Sequence, residues 1–152
     1  MFVVGACARP TVNPAAEFSV GDAMDLRATF DALYGHISRL DAPATLAAYD
    51  TSIAFAHVFD GNLVRGRARY NDMVKAMFPT IRAFENAGVD SVFIIPAGKN
   101  AAMVVAAFHE TVVDTAGART TQRGIWSNLF IRRPNGWKVV FGHTTHVVDP
   151  TR

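Results

Sequence analysis

The stretch that decides the fold runs from Gly124 to His143 and reads GIWSNLFIRRPNGWKVVFGH. Apolar residues alternate with small or polar ones on both sides of Pro134-Asn135-Gly136, as in two antiparallel strands joined by a tight turn. If Asn135-Gly136 is a two-residue loop, Asn128 faces His143 on an otherwise apolar surface. The stretch therefore predicts a curved sheet that walls a small pocket.

The same alternation continues on either side, and it predicts four strands, which are Val89–Pro96, Ala101–Asp114, Arg119–Arg133 and Trp137–Val148. With Ala116-Gly117 as a second two-residue loop, both faces of the sheet are largely apolar. A sheet with one face in water should alternate polar and apolar residues, so we expect the second face to meet another copy of the chain. The face predicted to line the pocket carries Met103, Val105, Ala107, His109, Gln122, Trp126, Asn128, Phe130, Phe141, His143 and Thr145.

Helices are predicted before these strands. Apolar residues recur at three- and four-residue steps from Asp22 to Leu40, after the capping residue Ser19. Asp41 caps a short second helix, from which Leu46 and Tyr49 point inward. A strand at Thr51–Phe59, a return strand at Leu63–Arg65 and a third helix from Gly66 to Gly88, kinked or broken at Pro79, complete the order. Helices followed by strands favour an α+β domain with its helices on one face of a mostly antiparallel sheet.

The composition indicates one globular domain. Half of the 152 residues are hydrophobic and 18% are charged, and the net charge is only +2. No basic-aromatic array predicts nucleic-acid binding, and no apolar run approaches the roughly 20 residues that span a bilayer. We expect a flexible segment at 1–18 and the domain at 19–150.

The chain has a single cysteine, Cys7, which predicts neither a disulfide framework nor a cysteine metal site. The first seven residues, MFVVGAC, look like the end of a lipoprotein signal without its basic start. We therefore expect a cytoplasmic protein, with an exported lipoprotein whose truncated signal ends at Cys7 as the alternative.

The order of these elements resembles the nuclear transport factor 2-like superfamily, and within it the SnoaL-like domains, which are relatives of ketosteroid isomerase. The resemblance covers roughly residues 22–148, and it is most specific in Gly136-Trp137-Lys138-Val139-Val140 followed by His143 and Thr145. It implies a cone-shaped α+β barrel, a pocket between helices and sheet, and a homodimer formed through the outer sheet face. It fixes no activity, because this fold hosts many.

The catalytic residues of ketosteroid isomerases carry over poorly. Those enzymes place a tyrosine on the first helix, and Tyr34 lies near that position. Their general-base aspartate lies on the first strand, where this chain reads Ile53-Ala54-Phe55-Ala56-His57 and offers no carboxylate. The comparison therefore disfavours steroid isomerase chemistry.

His143 is the candidate catalytic residue, since an imidazole titrates near neutral pH. We predict no cofactor and no metal site, because His143 and His146 should point to opposite faces of their strand. The first hypothesis is a binding domain for a small apolar molecule. The alternatives are a lyase, isomerase or hydrolase that uses His143, and a dimeric assembly domain. The predicted ligand-binding residues are Asn128, Trp126, Tyr34, His109, His57, Tyr49, Phe141 and Phe130.

Overall fold

A computed structural model of the chain describes residues 17–148. The first helix, α1, spans Val20–Ser38, and Ser19 and Asp22 cap it reciprocally. The short helix α2 spans Ala42–Ala47, and the Asp41 carboxylate accepts from the backbone N–H of Ala44. Both caps stand where the sequence predicted them.

The remaining elements form a six-stranded sheet and one more helix. The strand order is β2-β1-β6-β5-β4-β3, and β1 and β6 are the one parallel pair among the strands described. The sheet is curved and not closed, and its core face packs against the helices, which confirms the predicted fold class. The bounds are Ala56–Phe59 for β1, Asn62–Arg65 for β2, Arg67–Met77 for α3, Ile81–Gly98 for β3, Ala101–Asp114 for β4, Arg119–Arg133 for β5 and Gly136–Val148 for β6.

Three predicted elements have the wrong extent, namely the third helix, the first strand and the strand predicted at Val89–Pro96, which spans Ile81–Gly98. α3 ends at Met77, and one turn of 3-10 helix at Phe78–Thr80 leads into β3, so the break expected at Pro79 is confirmed. The prediction that the helix continues to Gly88 is wrong, because the residues from Ile81 onward pair with the far end of β4. The first strand starts at Ala56, five residues after the predicted start at Thr51.

The turn between β4 and β5 contains one more residue than predicted. Asp114 and Ala118 face each other through a backbone hydrogen bond, Asp114 N–H to Ala118 O at 3.0 Å. Three residues lie between them, and the last, Gly117, has φ of +90°, which completes a type I turn with a glycine bulge. The pairing is therefore Val104 with Asn128, and the predicted pairing of Val105 with Asn128 is wrong. Consequently the even-numbered residues of β4 face the helices.

A β-bulge changes the second half of β6. Near the turn, Phe130 pairs with Val139 and both face the helices. Arg133 pairs with Gly136, so the two-residue loop is Pro134-Asn135 and the predicted loop at Asn135-Gly136 is wrong. An extra residue at Val140 then shifts the ladder by one, so that Asn128 pairs with Gly142 and the predicted pair of Asn128 and His143 is wrong. The inner face of β6 continues with Gly142, Thr144 and His146, and Phe141, His143 and Thr145 lie on the outer face.

Phe18, the last residue of the predicted flexible segment, packs its ring against Trp137 at 5.9 Å. Residues 1–16, and with them Cys7, lie outside the described residues. Across the described residues, each helix is too short or too polar to cross a membrane.

Candidate functional site

A cavity of about 250 Å³ lies between the helices and the inner face of the sheet. A cavity of roughly 150 Å³ is enough to hold benzene, so this one has room for a substituted ring. Its walls are mainly apolar and aromatic, with a few polar groups at particular positions. The lining residues are Tyr34, Ile37, Thr45, Tyr49, His57, Phe59, Asp60, Tyr70, Met73, Val74, Met77, Phe78, Ile81, Phe84, Phe108, Glu110, Val112, Gln122, Trp126, Thr144 and His146.

Glu110 brings a buried carboxyl group to this cavity. The Gln122 amide on the facing strand donates to its Oε1 at 2.7 Å. Burial raises the pKa of Glu110, and the hydrogen bond from Gln122 and the charge of His146 offset part of that rise. A carboxyl group with a raised pKa keeps its proton to higher pH, which suits a general acid.

His146 and Asp60 form a second polar group on the cavity wall. The Asp60 carboxylate lies 2.9 Å from His146 Nδ1, and it also accepts from the backbone N–H of His146 at 2.8 Å. A carboxylate only accepts hydrogen bonds, so His146 Nδ1 is the donor, and the rings of Phe59 and Phe108 both pack against the imidazole. Asp60 has φ of +47°, an uncommon backbone conformation for a residue with a side chain.

His57 lies at a different part of the wall and is 2% exposed. Its ring lies 4.9 Å from the Tyr70 ring, and its Nε2 is 3.2 Å from the Thr144 hydroxyl. Burial lowers the pKa of His57 to about 4, with a smaller contribution from the charge of His143. His57 is therefore a neutral imidazole at neutral pH.

The structure brings only part of the predicted site together. Tyr34, Tyr49, His57 and Trp126 line the cavity. Asn128 and Phe130 are fully buried on the inner face but are not among the residues that line it.

Three predicted site residues lie on the outer face. His109 bonds Asp90 at 2.7 Å, and His143 bonds Thr145 at 3.1 Å. Phe141 pairs with Leu129, on the same outer face. The predicted registers of β4 and β6 were each displaced by one residue, and that displacement moves a side chain to the opposite face.

The sequence prediction missed Asp60, Glu110, Thr144 and His146. β1 spans Ala56–Phe59 and carries no carboxylate, as predicted, but Asp60 follows it directly and lines the cavity. Glu110 and His146 can be recognised as inward-facing residues only when the register of their strands is predicted correctly. Within residues 17–148, no group of three or more His, Cys, Asp or Glu is placed to hold a metal ion.

The chain belongs to the SnoaL-like domain family, whose model matches residues 26–149. This match covers nearly the whole of the described fold and confirms the resemblance inferred from the sequence. No curated protein matches the chain in sequence.

Solved structures with the same fold include a candidate dehydratase of the nuclear transport factor 2-like family from Streptomyces avermitilis, at 18% identity and a TM-score of 0.76. That comparison covers 86% of this chain and all of the other. A candidate scytalone dehydratase from Novosphingobium aromaticivorans has 11% identity and a TM-score of 0.74, over 88% of this chain and 91% of the other. A ketosteroid isomerase-like protein from Erwinia carotovora atroseptica has 18% identity and a TM-score of 0.72, over 87% and 100%. At these identities the likeness shows the fold.

Proposed function

We propose that the cavity binds a small, uncharged, mainly apolar molecule and that Glu110 and His146, the latter held by Asp60, transfer protons on it, as in a dehydratase or an isomerase. The observation that carries this proposal is the position of Glu110, His146 and Asp60 on the wall of one mainly apolar cavity, with the pKa of Glu110 raised by burial. Ionisable groups in different environments are the usual basis of paired acid and base roles. The dehydratase and isomerase names among the structural relatives support the class.

Each residue has a distinct role in this proposal. Asp60 holds His146 with Nδ1 bonded, so that Nε2 takes a proton from the carbon next to a substrate carbonyl. In a dehydration, the electrons of that C–H bond form the new double bond. The hydroxyl group on the next carbon then leaves as water with the proton of Glu110. The Tyr34 hydroxyl lines the cavity and is a donor for the substrate oxygen.

The test is proton exchange, which needs no knowledge of the final product. Single-ring and two-ring ketones and hydroxyketones are incubated with the protein in D₂O, and mass spectrometry follows deuterium uptake and loss of water. Replacing His146 by Gln should lower the exchange rate, and replacing Glu110 by Gln should lower the rate of water loss, each by roughly 10²–10⁴-fold, the usual contribution of a general acid or base.

His143→Gln is the matched control, because His143 lies on the same strand as His146 but on the outer face. It should exchange at the rate of the unmodified protein. Equal rates for His146→Gln and the unmodified protein contradict the proposal. If ligands bind but no deuterium exchange occurs, the result favours the alternative function, a non-catalytic binding domain. The mainly apolar wall of the cavity supports that alternative.

We infer further that the outer face of the sheet pairs with a second copy of the chain. Phe93 and Ile95 are 64% and 54% exposed there, and Ile125 is exposed on the same face. Exposed apolar patches of this kind mark interaction surfaces. Sedimentation should show a dimer that Phe93→Glu disrupts and that Met24→Glu, a change at an exposed residue of α1, leaves intact. A monomeric unmodified protein contradicts the dimer.

A further inference from the structure

The cavity has a second group of polar side chains, away from its carboxylates. Thr45, His57 and Thr144 line the cavity, and each is more than nine-tenths buried. The contact between His57 Nε2 and the Thr144 hydroxyl joins two of them. Among the described residues, the Thr45 hydroxyl and His57 Nδ1 have no hydrogen-bond partner. Folded proteins rarely leave a buried polar group without a hydrogen-bond partner, because the hydration lost on burial is then not replaced.

The side chains of His57 and Asn128 both lie close to Gly142, and the Asn128 amide has no hydrogen-bond partner among the described residues. A methyl group on Gly142 would lie 2.3 Å from His57 Nδ1 and 2.9 Å from the Asn128 Oδ1 atom, so both side chains converge over this glycine. Glycine within a strand often marks such a close approach. The His57 ring therefore has a fixed place, with one ring nitrogen at the hydroxyl of Thr144.

This part of the cavity carries no charge at neutral pH. The pKa of His57 is lowered to about 4 by burial, so its imidazole is neutral. Of the described residues that line the cavity, none is a lysine or an arginine. A charged ligand group placed here would lose its hydration without gaining an opposite charge.

We propose that Thr45, His57 and Thr144 form a subsite for an uncharged oxygen-bearing group of the ligand, a hydroxyl or a carbonyl. Thr144 and His146 are two residues apart on one face of β6, so the subsite lies about 7 Å from the residue proposed as the base. That separation suits a ligand in which one ring lies between the oxygen and the reacting carbon. The inference rests on the proposed role of the cavity as a ligand site, and it does not require catalysis.

The test compares three ring compounds of similar size, which are benzyl alcohol, ethylbenzene and benzoate. Their binding to the full chain is measured by NMR titration. Benzyl alcohol should bind roughly 3- to 10-fold more tightly than ethylbenzene, which is the value of one net hydrogen bond. Benzoate should bind more weakly than both.

Thr144→Val removes the hydroxyl and keeps the shape of the side chain. It should abolish the preference for benzyl alcohol, while unchanged binding of ethylbenzene shows that the cavity is still formed. Thr145→Val is the matched control, since Thr145 is the next residue and faces outward. It should preserve the preference.

The outcomes separate this inference from the proposed function. If benzyl alcohol and ethylbenzene bind equally, or if Thr144→Val keeps the preference, the subsite is refuted whatever the proton-exchange assay shows. If the cavity binds none of the three compounds, the subsite and the ligand-binding role of the cavity are both refuted. If the binding preference is found but no ketone exchanges deuterium, the subsite stands and the catalytic proposal is refuted.

Discussion

Acidification should destabilise the fold through His57. The ordinary histidine pKa of 6.5 applies in the unfolded chain, whereas burial holds the pKa of His57 in the fold at about 4. Between these two values the unfolded chain takes up a proton that the folded protein does not, so stability is greatest above pH 6.5 and falls as the pH drops toward 4. Each pKa unit is worth 1.36 kcal/mol, which makes the full loss about 3 kcal/mol.

Urea unfolding at several pH values between 7.5 and 4 measures this loss. Other groups also titrate in that range, so the informative quantity is the difference between the unmodified protein and His57→Gln. The variant should be less stable at pH 7.5 and should lack the contribution of about 3 kcal/mol on acidification. His36→Gln, a histidine replacement on α1, controls for the loss of an imidazole elsewhere. If the unmodified protein and His57→Gln lose stability in parallel, the assignment of a buried neutral His57 is refuted.

Two further predictions concern the residues around the cavity. Gly142→Ala places a methyl group 2.3 Å from His57 Nδ1 and should cost about 1–3 kcal/mol, a fall in Tm of a few degrees or more, whereas Gly21→Ala in α1 meets only ordinary contacts and should be neutral or stabilising. A normal Tm for Gly142→Ala would contradict the close approach. Arg133→Gln removes the half-exposed guanidinium that donates to buried Asp50 at 2.7 Å and lowers the pKa of that carboxyl to about 2. The substitution should lower the free energy of unfolding by about 1–3 kcal/mol at pH 7. The effect should shrink as the pH falls from 3.8 toward 2, because Asp50 then gains a proton. Equal losses at pH 7 and pH 2, measured by urea unfolding, would argue against the ion pair.

The elements of this fold were predictable because their signals are local. Ser19 and Asp41 cap helices with their own side chains, and Pro79 cannot donate to a helix in any context. The long β3 was harder, because the residues after Ile81 carry a helical apolar spacing and become a strand only by pairing with β4. Such pairing is a long-range contact that local propensity does not report.

The site was harder to predict than the fold. Whether a strand residue faces inward depends on the number of residues in each turn and bulge that sets the strand register. On β5, Trp126, Asn128 and Phe130 were all placed on the correct inner face. The turn between β4 and β5 has three residues where two were predicted, so each residue of β4 faces the side opposite to the predicted one. His109 therefore faces outward and Glu110 faces inward. Where both faces are apolar, hydrophobicity cannot reveal that error.

The residue at the β6 bulge is Val140, and its side chain gives no sign of a bulge in the sequence. Gly142, two residues later, does indicate which residues of the strand face inward. Gly142 would be a poor choice within a sheet unless a neighbouring side chain needed its space. The only bulky polar side chain that the parallel neighbour β1 could place there is His57, and it occupies that position. Taking Gly142 as the inward residue fixes Thr144 and His146 as inward too, because alternate residues share a face. In β6, the glycine opposite His57 therefore indicates which residues face inward, where hydrophobic alternation does not.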